Sequence, residues 1–185
     1  FGRGGAEGDP IVTQAQDSAD IGARDNASMW TPEDGVSPYM SVLLWTAEVL
    51  RELEIDGTVL DPGPSIALFG PTDYDVSGEL AAAVDEVVLE TDACSALAND
   101  VTGRVVLVDR GNCTFREKVA NIQLAGGIGV LVVNQTAGEA PPNMARGDAI
   151  TPEITIPAMG IRLEQGRDLR AAMEQGPVLA RLHRQ

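Results

Sequence analysis

The chain has 185 residues, 44% of them hydrophobic, and a formal charge of −15, which allows one ordinary domain plus an appendage around a real core. So acidic a chain argues against binding a nucleic-acid backbone, which needs clustered Lys and Arg. No apolar run approaches the ~20 residues of a membrane-crossing helix, the longest candidate being residues 42–50.

In chain order, residues 2–9 are glycine-rich and predicted to be irregular. Residues 10–45 carry turn-rich clusters separated by short apolar runs. From Thr46 the composition changes. Ala47, Val49, Leu50 and Leu53 can line a short helix, which Asp61-Pro-Gly-Pro64 then breaks, so residues 46–62 are read as a linker or short helix with a module boundary near them. Residues 65–68 are predicted as a strand, 78–83 as a strand or helical turn, and 86–89 as a further strand. The β-branched run Arg104 to Val108 predicts a buried strand that ends in the tight turn Asp109-Arg-Gly-Asn112. Thr114 followed by Glu117 is a capping box, and Phe115, Val119, Ile122 and Ala125 recur at helical spacing until Gly126 and Gly127 stop the helix. Residues 129–133 form a second apolar strand. This βαβ unit predicts two parallel strands with the helix in a right-handed crossover. Residues 135–151 read as a long surface loop, 157–161 as a strand, 163–175 as a helix with Leu169, Ala172 and Met173 inward, and 178–182 as a closing strand.

The chemistry is sparse. A zinc peptidase helix needs two His one turn apart with a Glu between them, and this sequence has one His, His183, read as a surface residue at the end of a strand. No Gly-x-Ser-x-Gly elbow accompanies it for Ser-His-Asp hydrolysis. Asp73-Tyr-Asp75-Val-Ser-Gly78-Glu79 has half of a calcium loop but lacks the third ligand and the distal Glu, and is read as a solvated acidic turn. Gly126-Gly-Ile-Gly129 follows a helix and precedes a strand, the wrong order for a dinucleotide loop. The turn Asp109-Arg110-Gly111-Asn112 is the best candidate surface: it precedes a capped helix, and Arg110 adds a fork of donors able to receive a peptide carboxylate or carbonyl. The structural alternative is that Asp109 and Arg110 fix the turn while Gly111 supplies a special φ. Asn26, Asn112 and Asn134 begin Asn-x-Ser/Thr sequons, which matter only in a glycosylating host.

The run Gly103-Arg-Val-Val-Leu-Val-Asp-Arg-Gly-Asn-Cys-Thr-Phe-Arg-Glu-Lys-Val119, then residues 123–127 and 130–134, and later Ile154-Thr-Ile-Pro-Ala-Met-Gly-Ile161, resembles the core of the protease-associated (PA) domain. The resemblance implies an α+β (mixed α/β) fold of the swivelling β/β/α type, a barrel-like mixed sheet with flanking helices and one βαβ unit, over residues 63–185. It also implies a non-catalytic module of the kind carried by secreted or luminal proteases and by sorting receptors, where the Arg-Gly-x-Cys region corresponding to Arg110, Gly111, Asn112 and Cys113 is implicated in peptide binding. PA domains often pair two cysteines in the places of Cys94 and Cys113, so a disulfide worth about 3 kcal/mol and an oxidising compartment are expected. Two buried free thiols, or a redox pair, stand as alternatives.

Upstream, Gly4-Gly-Ala-Glu-Gly-Asp9, Val12, Gln16-Asp17, Asp25-Asn-Ala27, Thr31-Pro-Glu-Asp-Gly35 and Pro38-Tyr-Met-Ser-Val-Leu-Leu-Trp45 resemble the stretch before the zinc helix of the fungalysin metallopeptidases. Residues 1–45 would then be catalytic-domain sequence. Asn26, Ala27 and Ser28 would lie on the edge strand that receives an extended substrate, where the alternative is a turn-rich surface loop. The sequence departs from the family pattern at Asp25, Ser28, Met29 and Tyr39. These resemblances imply a secreted interaction or substrate-access module, inserted in a zinc metallopeptidase, with no catalytic residue, metal or cofactor of its own. Zinc would belong to the parent enzyme, and the partners would be its catalytic domain and protein or peptide substrates, with no nucleic acid or membrane. A processed chain completed by a downstream zinc-binding chain, and a peptide-binding sorting-receptor domain, are the rival readings. The sequence opens at Phe1 without a secretory leader, which is read as a fragment or processed piece.

Overall fold

The computed structural model describes residues 50–86, 91–147 and 152–185, together with the backbone of three strands before them. The chain divides into two compact units, Phe1–Glu48 and Val49–Gln185. In the first unit, β1 (Val12–Ala15) pairs parallel with β3 (Tyr39–Val42), and β2 (Ala27–Trp30) pairs antiparallel with the other side of β3. Among the described residues β2 is therefore an edge strand. Ala27 and Ser28 open it, and Asn26 lies outside the described residues.

The second unit is one mixed sheet with two helices. Its strands are β4 (Arg51–Ile55), β5 (Thr58–Val59), β6 (Ser65–Ile66), β7 (Tyr74–Ala82), β8 (Val105–Asp109), β9 (Gly129–Val133), β10 (Ala158–Ile161) and β11 (Leu179–Arg184), in the order β5-β4-β11-β7-β8-β9-β10-β6. The long strand β7 joins two halves. Residues 74–79 pair antiparallel with β11, and residues 80–82 pair parallel with β8. The helices are α1 (Phe115–Leu124) and α2 (Leu163–Gln175).

The predicted βαβ unit is β8-α1-β9, with β8 and β9 parallel. Its strands read as unbroken apolar runs because both of their faces are buried. Val106, Val108, Val130 and Val132 face the cluster that holds Val119 and Ile122 of α1. Val105, Leu107, Leu131 and Val133 face the cluster that holds Leu169 of α2. Each such fully buried side chain contributes about 1.5–3 kcal/mol, so this strand pair anchors both layers.

Several sequence expectations are corrected. The short helix expected within residues 46–62 is a hairpin of β4 and β5, because Asp56 and Gly57 both take positive φ, 49° and 77°. That is the backbone a two-residue hairpin turn demands. Leu53 is buried in β4 opposite Leu182, whereas its neighbours Glu52 and Glu54 are only partly covered. The acidic stretch Asp73 to Glu79 lies largely in β7, where Arg181 spans from Asp75 on one side to Glu54 on the other at 2.7 and 2.8 Å. Asp75 thus neutralises an arginine from within a strand rather than from a turn. His183 lies at the end of β11, as expected, but is half-buried, its side chain 16% exposed and Nδ1 3.7 Å from Asp75 Oδ2. In α2, Leu169 is buried and Met173 half-buried, but Ala172 is exposed. Gln165 and Gly166 complete the inward face, placing it one turn earlier than apolar spacing alone predicts. Glu86 is described, and the remainder of the strand expected at 86–89 lies outside the described residues, as do positions 148–151 of the expected loop.

Candidate functional site

The turn after β8 is held from beneath by a buried polar cluster. Asp92 Oδ2 accepts from the backbone N–H of Asn112 (3.3 Å) and from its Nδ2 (3.2 Å), and Asp92 Oδ1 accepts from the Cys94 N–H (3.1 Å). Gly111 lies over the same carboxylate, and a Cβ there would meet Asp92 Oδ2 at 2.6 Å. Close approach to Asp92 therefore requires this glycine. The special φ expected of it is absent from the positive-φ positions.

Lys118, the only lysine, is fully buried on α1 and points into this cluster. Its Nζ donates to the Asp92 carbonyl (2.6 Å) and to Cys94 Sγ (3.2 Å), and lies 3.9 Å from Asp92 Oδ2. Burial lowers the Lys118 pKa, against the charges of Asp92 and Asp85, which raise it. Asp85 is 3% exposed, with Oδ1 unpartnered. Burial first, and then the neighbouring Asp92 carboxyl, push its pKa to about 6. Burial also works to raise the Asp92 pKa, but donation from Cys94 and Asn112, with Asp85 alongside, brings it below the ordinary value. Of the two carboxyls, Asp85 is therefore the one that keeps its proton to higher pH.

Cys94 and Cys113 form a disulfide that ties the Asp92 loop to the turn. The bond answers the expectation of a disulfide and excludes two buried free thiols. The capping box is also present: Thr114 Oγ1 accepts from the Glu117 N–H, and Glu117 Oε2 accepts from the Thr114 N–H.

Above the turn lies a groove of about 550 Å³. One wall is Arg110, Gly111, Phe115 and Arg116, and the other includes Asn143 and Ala145. Met144 between them is buried and bridges Ala67, so that the second wall is extended backbone. Arg110 stands 5.9 Å from the Phe115 ring centroid, and Arg116 stands 5.4 Å from that of Phe69. Arg116 Nη1 donates to the Arg146 carbonyl, while its buried Nε finds no partner among the described residues.

Of the four predicted turn residues, the structure brings Arg110 and Gly111 to the groove and commits the other two elsewhere. Asp109 accepts from Arg170 Nη2 (2.7 Å) and from Thr91 Oγ1, which fastens α2 to the end of β8. Asn112 is spent on Asp92. Arg110 Nη1 donates to Asn134 Oδ1 at 3.2 Å, and Asn134 Nδ2 donates to the Ala140 carbonyl. Asn134 is 2% exposed, so its sequon is closed to a glycosylating enzyme. Sequence reasoning missed Lys118, although it falls on the inward face between Phe115 and Ile122. It also missed Asp85 and Asp92, which only the folded contacts single out.

The described residues hold no group of three His, Cys, Asp or Glu placed to bind a metal, and no helix long and apolar enough to cross a membrane. A mixed sheet covered by one helix on each face defines an α+β module. The family model of the PA domain matches residues 76–169, just over half of the chain, and the chain belongs to the PA domain family. It is 35% identical over 77 residues to the minor extracellular protease Vpr of Bacillus subtilis, an alignment covering 42% of this chain and 9% of that protein. It is 33% identical over 170 residues to the ER degradation-enhancing alpha-mannosidase-like protein 3 of Xenopus laevis, covering 83% of this chain and 19% of that one. The chain thus spans under a fifth of the length of these curated relatives. Among solved structures it shares the fold of BSAP, a zinc aminopeptidase from Bacillus subtilis, with a TM-score of 0.56 at 20% identity, over 75% of this chain and 30% of that one.

Proposed function

We propose that this chain is a non-catalytic interaction module of a secreted zinc metallopeptidase, and that the groove beside Arg110 holds an extended peptide of substrate or partner. The carrying observation is the groove itself: one wall is extended backbone and the other bears two arginines seated on aromatic rings. An extended peptide can pair with the first while its carbonyl or carboxylate oxygens meet the second.

The backbone groups of Leu50 and Gln185 exchange hydrogen bonds at 3.1 and 3.2 Å, so residues 50 and 185 lie side by side. This supports an insertion within a host domain, with the PA module beginning near residue 49 rather than 63. The parent's zinc and its catalytic domain, the fungalysin-like character of residues 1–45, and a substrate-receiving edge at Asn26, Ala27 and Ser28 belong to the same proposal. The disulfide supports secretion.

The test is binding of the chain to an immobilised library of extended peptides, repeated with Arg110→Ala. Loss of one charge-assisted contact should weaken the selected peptides about tenfold in a variant that still unfolds cooperatively. No peptide selection, or equal binding by the variant, refutes the groove as the binding surface.

A further inference from the structure

The disulfide has two unlike sulfurs. Cys113 lines the groove, whereas Cys94 Sγ receives a hydrogen bond from the fully buried Lys118 ammonium at 3.2 Å. Thiol–disulfide exchange runs faster through the sulfur that can be reached, and faster when the departing sulfur leaves as a stabilised thiolate. Both cysteines are partly exposed, but Cys113 is the one that lines the groove, and the second preference separates the two sulfurs. Attack at Cys113 is open from the groove, and departure of Cys94 places its new negative charge in hydrogen-bond contact with the buried Lys118 ammonium, which offsets the Asp92 carboxylate that accepts the Cys94 N–H and the neighbouring Asp85.

We propose that the Cys94–Cys113 disulfide is a thiol-exchange site of fixed polarity, at which a small anionic thiol bonds to Cys113 and expels Cys94 as a thiolate onto Lys118. The incoming thiolate sulfur forms a bond to Cys113 Sγ as the Cys94–Cys113 bond breaks. The electron pair of that bond leaves on Cys94 Sγ, and no net oxidation or reduction accompanies this first step. A second thiol of the same class then releases Cys113 as a thiolate, its own sulfur joining the first in a small-molecule disulfide. Reduction thereby removes the covalent tie between the Asp92 loop and the turn that floors the groove, leaving the Asn112–Asp92 hydrogen bonds.

The preference for an anionic thiol comes from Arg110 and Arg116, which line the approach to Cys113, whereas Glu117 is turned onto its own helix cap. The whole chain, at −15, would by itself draw a cationic thiol, so the two influences oppose one another and can be told apart.

The experiment treats the full native chain at low ionic strength with 2-mercaptoethanesulfonate or with cysteamine, quenches early time points with acid, alkylates free thiols and maps the adducts by mass spectrometry. The expected result is an adduct on Cys113 with Cys94 alkylated, in about tenfold excess over the reverse, and a faster reaction per thiolate with the sulfonate. Adducts shared equally or favouring Cys94, faster reaction with cysteamine, or no exchange without denaturant would overturn the proposal. Lys118→Met should erase the bias if it folds, and an unchanged bias in the folded variant counts against Lys118. Independently of that variant, the alkylation rate of Cys94 in the reduced wild-type chain should titrate below the ordinary thiol value of about 8.5, and an ordinary value refutes the stabilised thiolate.

Discussion

Asp85 carries the clearest acid–base consequence of the buried cluster. Its pKa is about 6 in the folded chain against an ordinary 3.8, so the folded state binds more protons than the unfolded state between those values. Its contribution to stability is complete below pH 3.8 and is lost as the pH rises to about 6, beyond which the cost is constant. Asp92, whose pKa is lowered, acts in the opposite direction and only in more acidic solution. Lys118, the third charge in the cluster, is buried against both. Asp85→Asn keeps the shape of the protonated form and removes the ionisation. It should raise the melting temperature at pH 7, leave it nearly unchanged at pH 4, and flatten the slope between them. Thermal denaturation of both chains across that range checks this, and parallel curves would show that Asp85 is ionised in the fold throughout.

At the level of elements, α2 approaches β9 closely because residue 166 has no side chain. A Cβ at Gly166 would meet Val133 Cγ1 at 2.3 Å, a contact that a buried valine cannot relieve by moving into solvent. Alanine would gain about 1 kcal/mol of helix propensity and lose about 1–3 kcal/mol to overpacking. Gly166→Ala should therefore destabilise the chain in denaturant titration despite its better propensity, and a gain in stability would mean that α2 can lift from the sheet. Such a glycine also marks what sequence reading reaches. The helix 163–175 was legible from its apolar spacing, as were β8, α1 with its capping box, and β9, because local chemistry and tertiary burial agree there. The hairpin at residues 51–59 was misread, since Ala47, Val49 and Leu50 suit a helix and the pairing of Leu53 with Leu182 is formed across the whole module. At the candidate site, Arg110 and the cysteine pair stood out in the sequence. The supporting carboxyls did not, because Asp85 and Asp92 are ordinary acidic residues until burial and Lys118 make them a cluster.

For the molecule as a whole, the way the second unit closes on itself determines whether it can act as a portable module. Its first strand, β4, pairs with its last, β11, and the hydrogen bonds between Leu50 and Gln185 extend that pairing to the ends of the unit. The described residues of both apolar clusters lie within Val49–Gln185, and so does the disulfide. The residues matched by the family model, 76–169, leave out β4 and β11, and with them Leu53, Ala180 and Leu182 of the second cluster. A chain of residues 49–185 should therefore unfold in one cooperative transition within a few degrees of the full chain, whereas residues 76–169 alone should lack that transition, having lost several side chains each worth about 1.5–3 kcal/mol. Calorimetry on the three chains distinguishes the outcomes. If residues 49–185 failed to fold, the first unit would have to supply part of their stability, and an insertion carrying its own closure would be the wrong description of this protein.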